Sequence, residues 1–154
     1  EILQHQHKNL SFILLEGRNV EIKTNTDVIK IKENQYEAIG VADAAIVCSG
    51  TATLETAMLK CPMIVCYKLS TLTWILAQML SKVEHFSLVN LIADEKIVDE
   101  FLQKKMLPKN LSNGINELLK NENRDEIIKK YNQLIEKLKT NDSVYDSAAR
   151  YIYD

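Results

Sequence analysis

The chain has 154 residues, of which 46% are hydrophobic and 26% are charged, and its formal net charge is −2. This composition is typical of a folded domain and excludes a disordered tail. The 19 basic and 21 acidic residues are nearly balanced, so we expect no nucleic-acid partner. No apolar run approaches the ~20 residues of a membrane span, so we expect no segment that crosses a bilayer. The length of the chain is sufficient for one domain with a sizeable core.

Four short apolar segments predict β-strands, at residues 10–15, 27–32, 44–48 and 63–67. The last two are nearly continuous apolar runs, which are typical of parallel strands covered on both faces. Residues 51–59 between them have the length of a crossover helix, which ends before Pro62. The resulting βαβ unit predicts an α/β fold with a Rossmann-like parallel sheet and flanking helices.

From Thr71 onward the pattern predicts helices and no further strands. Apolar stripes with helical spacing occupy residues 72–83 and 127–138. Shorter helices are expected at residues 95–105 and 110–120, and a terminal helix at 144–153. We therefore divide the chain into a domain at residues 1–140 and a tail helix at residues 141–154.

The three cysteines are an odd number without a C-x-x-C pair. We expect Cys48, Cys61 and Cys66 to be buried, reduced thiols of a cytoplasmic protein. The N-terminus lacks the basic and then apolar pattern of a signal peptide. Since it is polar, we expect His5 and His7 to be exposed, and no metal site is predicted. The chain begins at Glu1 and not at Met, so we expect it to be part of a longer protein.

The strand at residues 44–48 runs directly into a Gly turn and a helix. At the carboxyl end of a parallel strand, the first amides of such a helix point outward and attract anions. The hydroxyl groups of Ser49, Thr51 and Thr53 add hydrogen-bond donors beside Gly50. The pattern therefore predicts a phosphate site, while simple N-capping of the helix by Ser49 or Thr51 remains an alternative.

Glu55 follows in the same predicted helix. It is not explained by a capping box, because the residue three positions earlier is Ala52 and not Ser or Thr. A carboxylate in this place would repel a diphosphate on the same amides, but it is suited to accept hydrogen bonds from ribose hydroxyls. Favourable interaction with the helix dipole is the alternative explanation.

Four segments carry a resemblance to a known family. They are residues 41–55 (VADAAIVCSGTATLE), 60–65 (KCPMIV), 67–68 (YK) and 86–93 (FSLVNLIA). In this order they closely resemble the lipid-A-disaccharide synthases, from about Asn34 to the C-terminus. The resemblance implies the C-terminal, donor-binding half of a two-domain GT-B glycosyltransferase, truncated at its N-terminal side.

The resemblance also implies a function and a site. It implies transfer of the acylated sugar of UDP-2,3-diacylglucosamine onto lipid X (2,3-diacylglucosamine 1-phosphate), which gives the β(1→6) disaccharide of lipid A and UDP. Ser49, Gly50, Thr51 and Thr53 are then expected around the diphosphate and Glu55 at the ribose. Asn90 is expected to line the donor side of the cleft. No cofactor and no metal are implied.

The chain departs from the family pattern at two places. Val89 stands where the family's S-L-P-N-L segment has Pro, which affects the loop that carries Asn90. Residues 1–33 match poorly: the Leu15-Glu16-Gly17-Arg18 turn lies too close to Asp43 for the family's L-P-G-S-R turn, so a strand and a shortened crossover are expected. The acceptor-side acid or base belongs to the absent half. Its residues are therefore unknown, and the isolated chain is expected to be inactive.

Two other functions remain possible on the sequence alone. Other GT-B enzymes that use UDP-sugars share the fold and the donor site, namely the N-acetylglucosaminyl transferase of peptidoglycan synthesis and the UDP-sugar 2-epimerases. A non-catalytic Rossmann-like module that binds a nucleotide or phosphate would explain the βαβ unit and the Gly turn. It would not explain the order of the other family-like segments.

Trp74 projects away from the apolar stripe of its predicted helix. Indole rings favour the headgroup region of bilayers, and Lys68 and Lys82 flank this helix. We therefore predict peripheral contact with the inner face of the bacterial inner membrane. Packing of Trp74 under a neighbouring helix or in the interface of a homodimer is the alternative.

Overall fold

The computed structural model describes residues 1–17, 21–24, 26–48, 50–70 and 84–139. These residues form an α/β domain with parallel strands, which confirms the predicted fold class. The elements in chain order are α1 (Ile2–Gln6), β1 (Ile13–Leu15), β2 (Ile29–Ile31), α2 (Gln35–Val41), β3 (Ala45–Cys48), α3 (Thr51–Met58), β4 (Met63–Tyr67), α4 (Leu88–Ala93), β5 (Glu100–Leu102), a 3-10 turn (Gln103–Lys105), α5 (Pro108–Leu118) and α6 (Asn121–Leu138).

The predicted βαβ unit is confirmed. Strands β3 and β4 are parallel neighbours with Cys48 opposite Cys66, and α3 connects them. Strand β5 continues this sheet in the order β3-β4-β5, with Leu102 opposite Tyr67. Strands β1 and β2 pair in parallel with each other, and the described residues between them form no helix. This agrees with the predicted strand and shortened crossover.

Strand β4 lies at the centre of the packing, because helices cover both of its faces. On one face, Met63 and Val65 pack in a buried cluster with residues of α3, α4 and α6, including Tyr131 and Leu134. On the other face, Ile64 packs against α5. Gly114 permits this close approach, since a Cβ there would lie 3.1 Å from side-chain atoms of Ile64 and Phe101.

The prediction of a helix at residues 95–105, and of no strand after Thr71, is wrong. The segment contains β5, which is fixed by backbone hydrogen bonds to β4; the N–H of Val65, for example, donates to the carbonyl oxygen of Asp99 at 2.8 Å. Pairing with a distant strand therefore outweighs the local helical pattern. The helices predicted at 110–120 and over the 127–138 stripe are confirmed by α5 and α6.

The expectation that β3 is covered on both faces is also wrong. Its residues alternate in exposure, and Ile46 is 49% exposed. Cys48 lies on the same side and is exposed, in contrast to its predicted burial. Cys61 and Cys66 are buried as predicted, and burial raises the pKa of each thiol to about 11. Both thiols are therefore protonated near neutral pH.

The N-terminus is more ordered than its polar sequence predicts. Helix α1 packs on α5, where the ring Nε2 of His7 lies 2.8 Å from Oδ1 of Asn116. The side chain of Gln6 accepts hydrogen bonds from Ser112 and Asn116. His5 is exposed, but His7 is half-buried, so the expected exposure of both histidines is only partly correct. His7 contributes to the contact between two helices.

The connection from β1 to β2 is held by one buried carboxylate. Glu16 is 1% exposed and accepts a hydrogen bond from the backbone N–H of Ile22 at 3.0 Å. Its oxygens lie 3.4 Å from Nζ of Lys30 and 3.7 Å from Nζ of Lys32. The N–H of Ile22 and, after it, the two ammonium groups hold the pKa of Glu16 below its ordinary value.

Three predictions fall outside the described residues. They are the helix at 72–83 with Trp74 and Lys82, the tail helix at 144–153, and the boundary at 140–141. Within the described part of the chain, no helix has the length and apolarity needed to cross a membrane.

Candidate functional site

The three strands of the larger sheet end at a common carboxyl edge. The strands end at Cys48, Tyr67 and Leu102, so Gly50, Lys68 and Gln103 all follow at this edge. Lys68 is exposed. In open α/β sheets this edge is where ligands bind.

The turn after β3 is built on Gly50. Its φ of 152° and ψ of −167° fall in a region that essentially only glycine adopts. Gly50 is the N-cap of α3, and Thr51 is the first helical residue. The alternative in which Thr51 caps the helix is therefore wrong, while Ser49 lies outside the described residues. The first amides of α3 have no carbonyl partners within the helix, and Thr51 and Ala52 are exposed.

Two threonines support this turn from inside. Thr53 is 0% exposed, and its Oγ1 donates to the carbonyl oxygen of Gly50 at 2.8 Å. Thr56 is 2% exposed and donates in the same manner to the carbonyl oxygen of Ala52 at 2.7 Å. The hydroxyl proton of Thr53 is thus used within the protein. Its predicted contact with a diphosphate stays a prediction, whereas its contact with Gly50 is observed.

Glu55 lies in the second turn of α3 and is half-buried. The cap residue Gly50 has no side chain, so Glu55 takes no part in a capping box, as the sequence predicted. Its carboxylate forms no ion pair or hydrogen bond with any residue that the structure describes. Two acceptor oxygens therefore remain for a ligand with adjacent hydroxyl groups.

Asn90, the other predicted site residue, lies inside the protein. It is 1% exposed, and its Oδ1 accepts from the N–H groups of Ile97 and Val98 at 2.8 and 2.9 Å. Its Nδ2 donates to the carbonyl oxygen of Val98 and to Oε1 of Glu100, both at 2.9 Å. The side-chain amide is fully hydrogen-bonded within the chain. Contact of Asn90 with a donor stays a prediction.

The residues around Asn90 form one hydrogen-bonded joint between α4 and β5. Ser87 caps α4, because its side chain accepts from the backbone N–H of Asn90. The Glu100 carboxylate accepts from the N–H groups of Phe86 and Ser87, the latter at 2.8 Å. Val89 is buried in the first turn of α4, where Pro is also tolerated, so its substitution for Pro leaves the helix start intact.

No sequence motif pointed to Gln103 as a site residue. This residue adopts a φ of 50°, which is unfavourable for a side chain without a compensating local hydrogen bond. Its Nε2 is buried and has no hydrogen-bond partner among the described residues. The residue was missed because its segment was predicted as a helix. Recognition of β5 would have placed it at the carboxyl edge.

The described residues contain no group of three or more His, Cys, Asp or Glu side chains suited to hold a metal ion. The candidate site consists of the Gly50 turn, the open amides of α3 and the carboxylate of Glu55. An amide row at a helix N-terminus binds phosphate groups, and a nearby carboxylate binds sugar hydroxyls. This combination is suited to a nucleoside diphosphate.

Comparison with known proteins identifies a family. A model of the lipid-A-disaccharide synthetase family matches residues 3–152. The lipid-A-disaccharide synthase of Blochmanniella pennsylvanica is 33% identical over 150 residues, which are 92% of this chain and 39% of that protein. That of Haemophilus influenzae strain PittEE is 32% identical over 155 residues, covering 91% and 40%. That of Syntrophus aciditrophicus is 44% identical over 82 residues, covering 53% and 21%. The chain thus spans at most about two fifths of these relatives.

Proposed function

This chain belongs to the lipid-A-disaccharide synthase family, and we propose that it forms the UDP-sugar site of a glycosyltransferase of lipid A biosynthesis. In this proposal the donor is UDP-2,3-diacylglucosamine and the acceptor is lipid X. The products are the β(1→6) lipid A disaccharide and UDP. The observation that carries the proposal is the set of open amides after Gly50, followed one turn later by the carboxylate of Glu55, which has no partner among the residues that the structure describes.

The diphosphate binds to the first turn of α3 in this proposal. Thr51 and Ala52 are exposed residues at the positive end of the helix dipole, and their N–H groups have no carbonyl partner within the helix. Gly50 lets the chain turn without a side chain over these amides. Thr53 holds the turn through its bond to the Gly50 carbonyl oxygen. The row of donors is therefore in place before the ligand arrives, which lowers the entropic cost of binding.

The ribose hydroxyls bind to Glu55. A carboxylate that accepts two hydroxyl hydrogen bonds gains more than a neutral acceptor does, because the bonds are charge-assisted. Glu55 lies one turn beyond the amides that hold the diphosphate, so its charge is displaced from the phosphate oxygens. The exposed residue Lys68 follows β4 at the same edge of the sheet, and its ammonium offsets the remaining negative charge.

In this proposal Asn90 positions the site through its hydrogen bonds within the protein. Its bonds to Val98 and Glu100 hold α4 against β5, the strand that precedes Gln103. We therefore assign Asn90 to the positioning of the carboxyl edge on the donor side. The resemblance to the S-L-P-N-L segment of the family is then explained by this joint.

The acceptor and the catalytic acid or base are assigned to the part of the relatives that this chain does not match. Transfer requires both substrates to be held together, so the chain by itself is expected to bind donor without forming product. Because both substrates carry acyl chains, we propose that the protein works as a peripheral protein at the cytoplasmic face of the inner membrane. A homodimer is compatible with this arrangement.

The test is the affinity for UDP of a full-length protein that contains this chain. Glu55→Ala is expected to weaken UDP binding about 10- to 100-fold, because a charge-assisted bond worth roughly 1.5–3 kcal/mol is lost. Glu37→Ala is the matched control, since Glu37 is an exposed carboxylate in the first turn of α2. Calorimetry that shows the same UDP dissociation constant for Glu55→Ala and the parent would contradict the ribose assignment.

A further inference from the structure

Two cysteines lie side by side at the carboxyl ends of β3 and β4. Cys48 is the last residue of β3, and the parallel register places it directly opposite Cys66. Residues paired in this way point to the same face of a sheet, and neighbouring strands lie about 4.8 Å apart. Disulfides join residues whose Cα atoms are about 4.4–6.8 Å apart. The sheet therefore brings these two free thiols within the range of a disulfide.

The two thiols differ in their access to solvent. Cys48 is exposed, as is Ile46 on the same side of β3. Cys66 is buried, and this burial raises the pKa of its thiol to about 11; the neighbouring thiol of Cys48 raises the same pKa further. The influence of one thiol on the other agrees with their side-by-side position in the register. A reagent in solution therefore reaches Cys48 first, and Cys66 lies next to it as a second thiol.

The third cysteine does not share these features. Cys61 precedes β4 and lies at the opposite end of this strand from Cys66. It is 2% exposed, and its Sγ donates to the carbonyl oxygen of Ala42 at 3.6 Å. Cys61 is thus separated from both Cys48 and solvent, and it serves as the control thiol of the same chain.

The cysteine pair, Cys48 and Cys66, is adjacent to the candidate site. Gly50, the N-cap of α3, follows Cys48 by two residues, and the exposed residue Lys68 follows Cys66 by two residues. The Cβ atoms of a disulfide lie about 3.8 Å apart, which is closer than the ~4.8 Å between neighbouring strands. Formation of the bond would therefore draw the ends of β3 and β4 together and move the Gly50 turn with Cys48.

We propose that the cysteine pair is a reversible redox site, and that a disulfide between Cys48 and Cys66 weakens binding at the Gly50 turn. In its effect on UDP binding, the inference rests on the proposed function. The oxidant is a low-molecular-weight disulfide of the glutathione class.

The reaction consists of two thiol–disulfide exchange steps. Cys48 loses its proton and attacks one sulfur of the glutathione disulfide; that S–S bond breaks, and the departing glutathione takes up a proton. Cys66 then attacks the Sγ of Cys48, and the second glutathione leaves with the proton from Cys66. Two protein thiols are oxidised and one glutathione disulfide is reduced to two thiols. The position of Cys66 beside Cys48 favours the second step, because the attack is intramolecular.

The first measurement detects the disulfide in a full-length protein that carries Cys61→Ser. The hydroxyl of this variant can donate to the same carbonyl oxygen as Cys61 does, so we expect the fold to be retained. After incubation with oxidised glutathione, trypsin should release residues 33–60 linked to residues 61–68, which in this variant contain only Cys48 and Cys66 as cysteines. Dithiothreitol should separate the two peptides. In the same background, Cys66→Ala should retain glutathione on Cys48, whereas Cys48→Ala should take up none at the buried Cys66.

The second measurement is the affinity of the oxidised and reduced protein for UDP, by calorimetry. The oxidised protein should bind UDP about tenfold more weakly, which is about the effect of losing one hydrogen bond to the ligand. Dithiothreitol should restore the affinity. Cys48→Ala is the matched control, since it replaces an exposed side chain and should keep the same affinity before and after oxidation. Thermal unfolding of each form tests whether the fold is intact.

Two outcomes would overturn the redox site. They are the absence of linked peptides after oxidation, and a linked protein whose UDP affinity equals that of the reduced form. An equal loss of affinity in oxidised Cys48→Ala would also overturn it, because the sensitive group would then lie elsewhere. If the linked peptides form but the reduced protein binds no UDP, the proposed UDP site fails while the disulfide is supported.

Discussion

Two polar regions of this domain carry the residues that the resemblance assigns to the donor, and they differ in how their hydrogen bonds are used. At the Gly50 turn, the first amides of α3 lack helical partners and Glu55 has no described partner. At the joint between α4 and β5, every polar side-chain atom of Asn90 is bonded, and Glu100 accepts from three groups. The first region therefore retains free hydrogen-bonding groups at partly exposed residues, whereas the second is buried and its groups are already bonded.

The free groups at the Gly50 turn are available to bind a ligand, whereas the bonded groups of the joint stabilise the fold. A group contributes strongly to a ligand only if its hydrogen-bonding capacity is free when the ligand arrives. Removal of a saturated buried group instead leaves its partners without bonds, so the cost appears in the free energy of unfolding. We therefore expect substitutions in the two regions to act on two different measured quantities.

The largest expected effect is on stability, at the joint. Asn90→Ala should lower the free energy of unfolding by about 3 kcal/mol, because two backbone N–H groups and one carbonyl oxygen lose buried partners. Asn113→Ala, at an exposed position of α5, should change it by less than about 0.5 kcal/mol. Urea denaturation of both variants checks this. Weakened UDP binding by Asn90→Ala without a loss of stability would restore Asn90 as a direct ligand.

The next effect compares two glycines, both with open space for a Cβ. Gly50→Ala should cost about 2 kcal/mol, because alanine is strained at this φ and ψ. Gly40→Ala in α2 should instead add about 0.5–1 kcal/mol, since alanine favours helix. Thermal unfolding gives the change in stability of each variant, and calorimetry gives its affinity for UDP. The comparison fails if Gly50→Ala raises stability or if Gly40→Ala weakens UDP binding.

The smallest expected effect is on the pH dependence of stability. It concerns Glu16, whose carboxylate, like that of Glu100, already has partners within the protein. Glu16→Gln keeps an acceptor for the N–H of Ile22 but loses the charge that faces Lys30 and Lys32. Since the folded pKa lies below the ordinary value of 4.5, the charge stabilises the fold above that pH. This contribution is lost as the pH falls through the folded pKa. Unfolding curves of parent and variant should therefore differ at neutral pH and converge in acid; a constant difference would contradict this.

The sequence predicts the βαβ unit well because its signals are local. The apolar run of β4 and the Gly turn before α3 need no information from elsewhere in the chain. Strand β5 was mistaken for a helix, since three residues become a strand only by pairing with β4. The exposure of Ile46 was missed for a related reason: the run of β3 shows apolarity but not which face receives a helix.

The candidate site was predicted in part. Residue types at the end of an apolar strand suffice to predict the open amides at Thr51 and the turn at Gly50. Residue types do not show whether a polar side chain is already hydrogen-bonded within the protein. Asn90 and Thr53 are bonded in this way, whereas Glu55 has no partner among the described residues. That information depends on residues 97–100, which reach Asn90 only in the folded chain. Gln103 was missed along with β5.

The central claim is that the donor diphosphate binds to the open amides of α3. It is tested most directly by NMR of a full-length protein labelled with 15N at threonine and asparagine, titrated with UDP and, separately, with uridine. We predict that UDP shifts the backbone amide resonance of Thr51 strongly and that of Asn90 little, while uridine leaves Thr51 nearly unchanged. An unshifted Thr51 amide at saturating UDP would contradict the account.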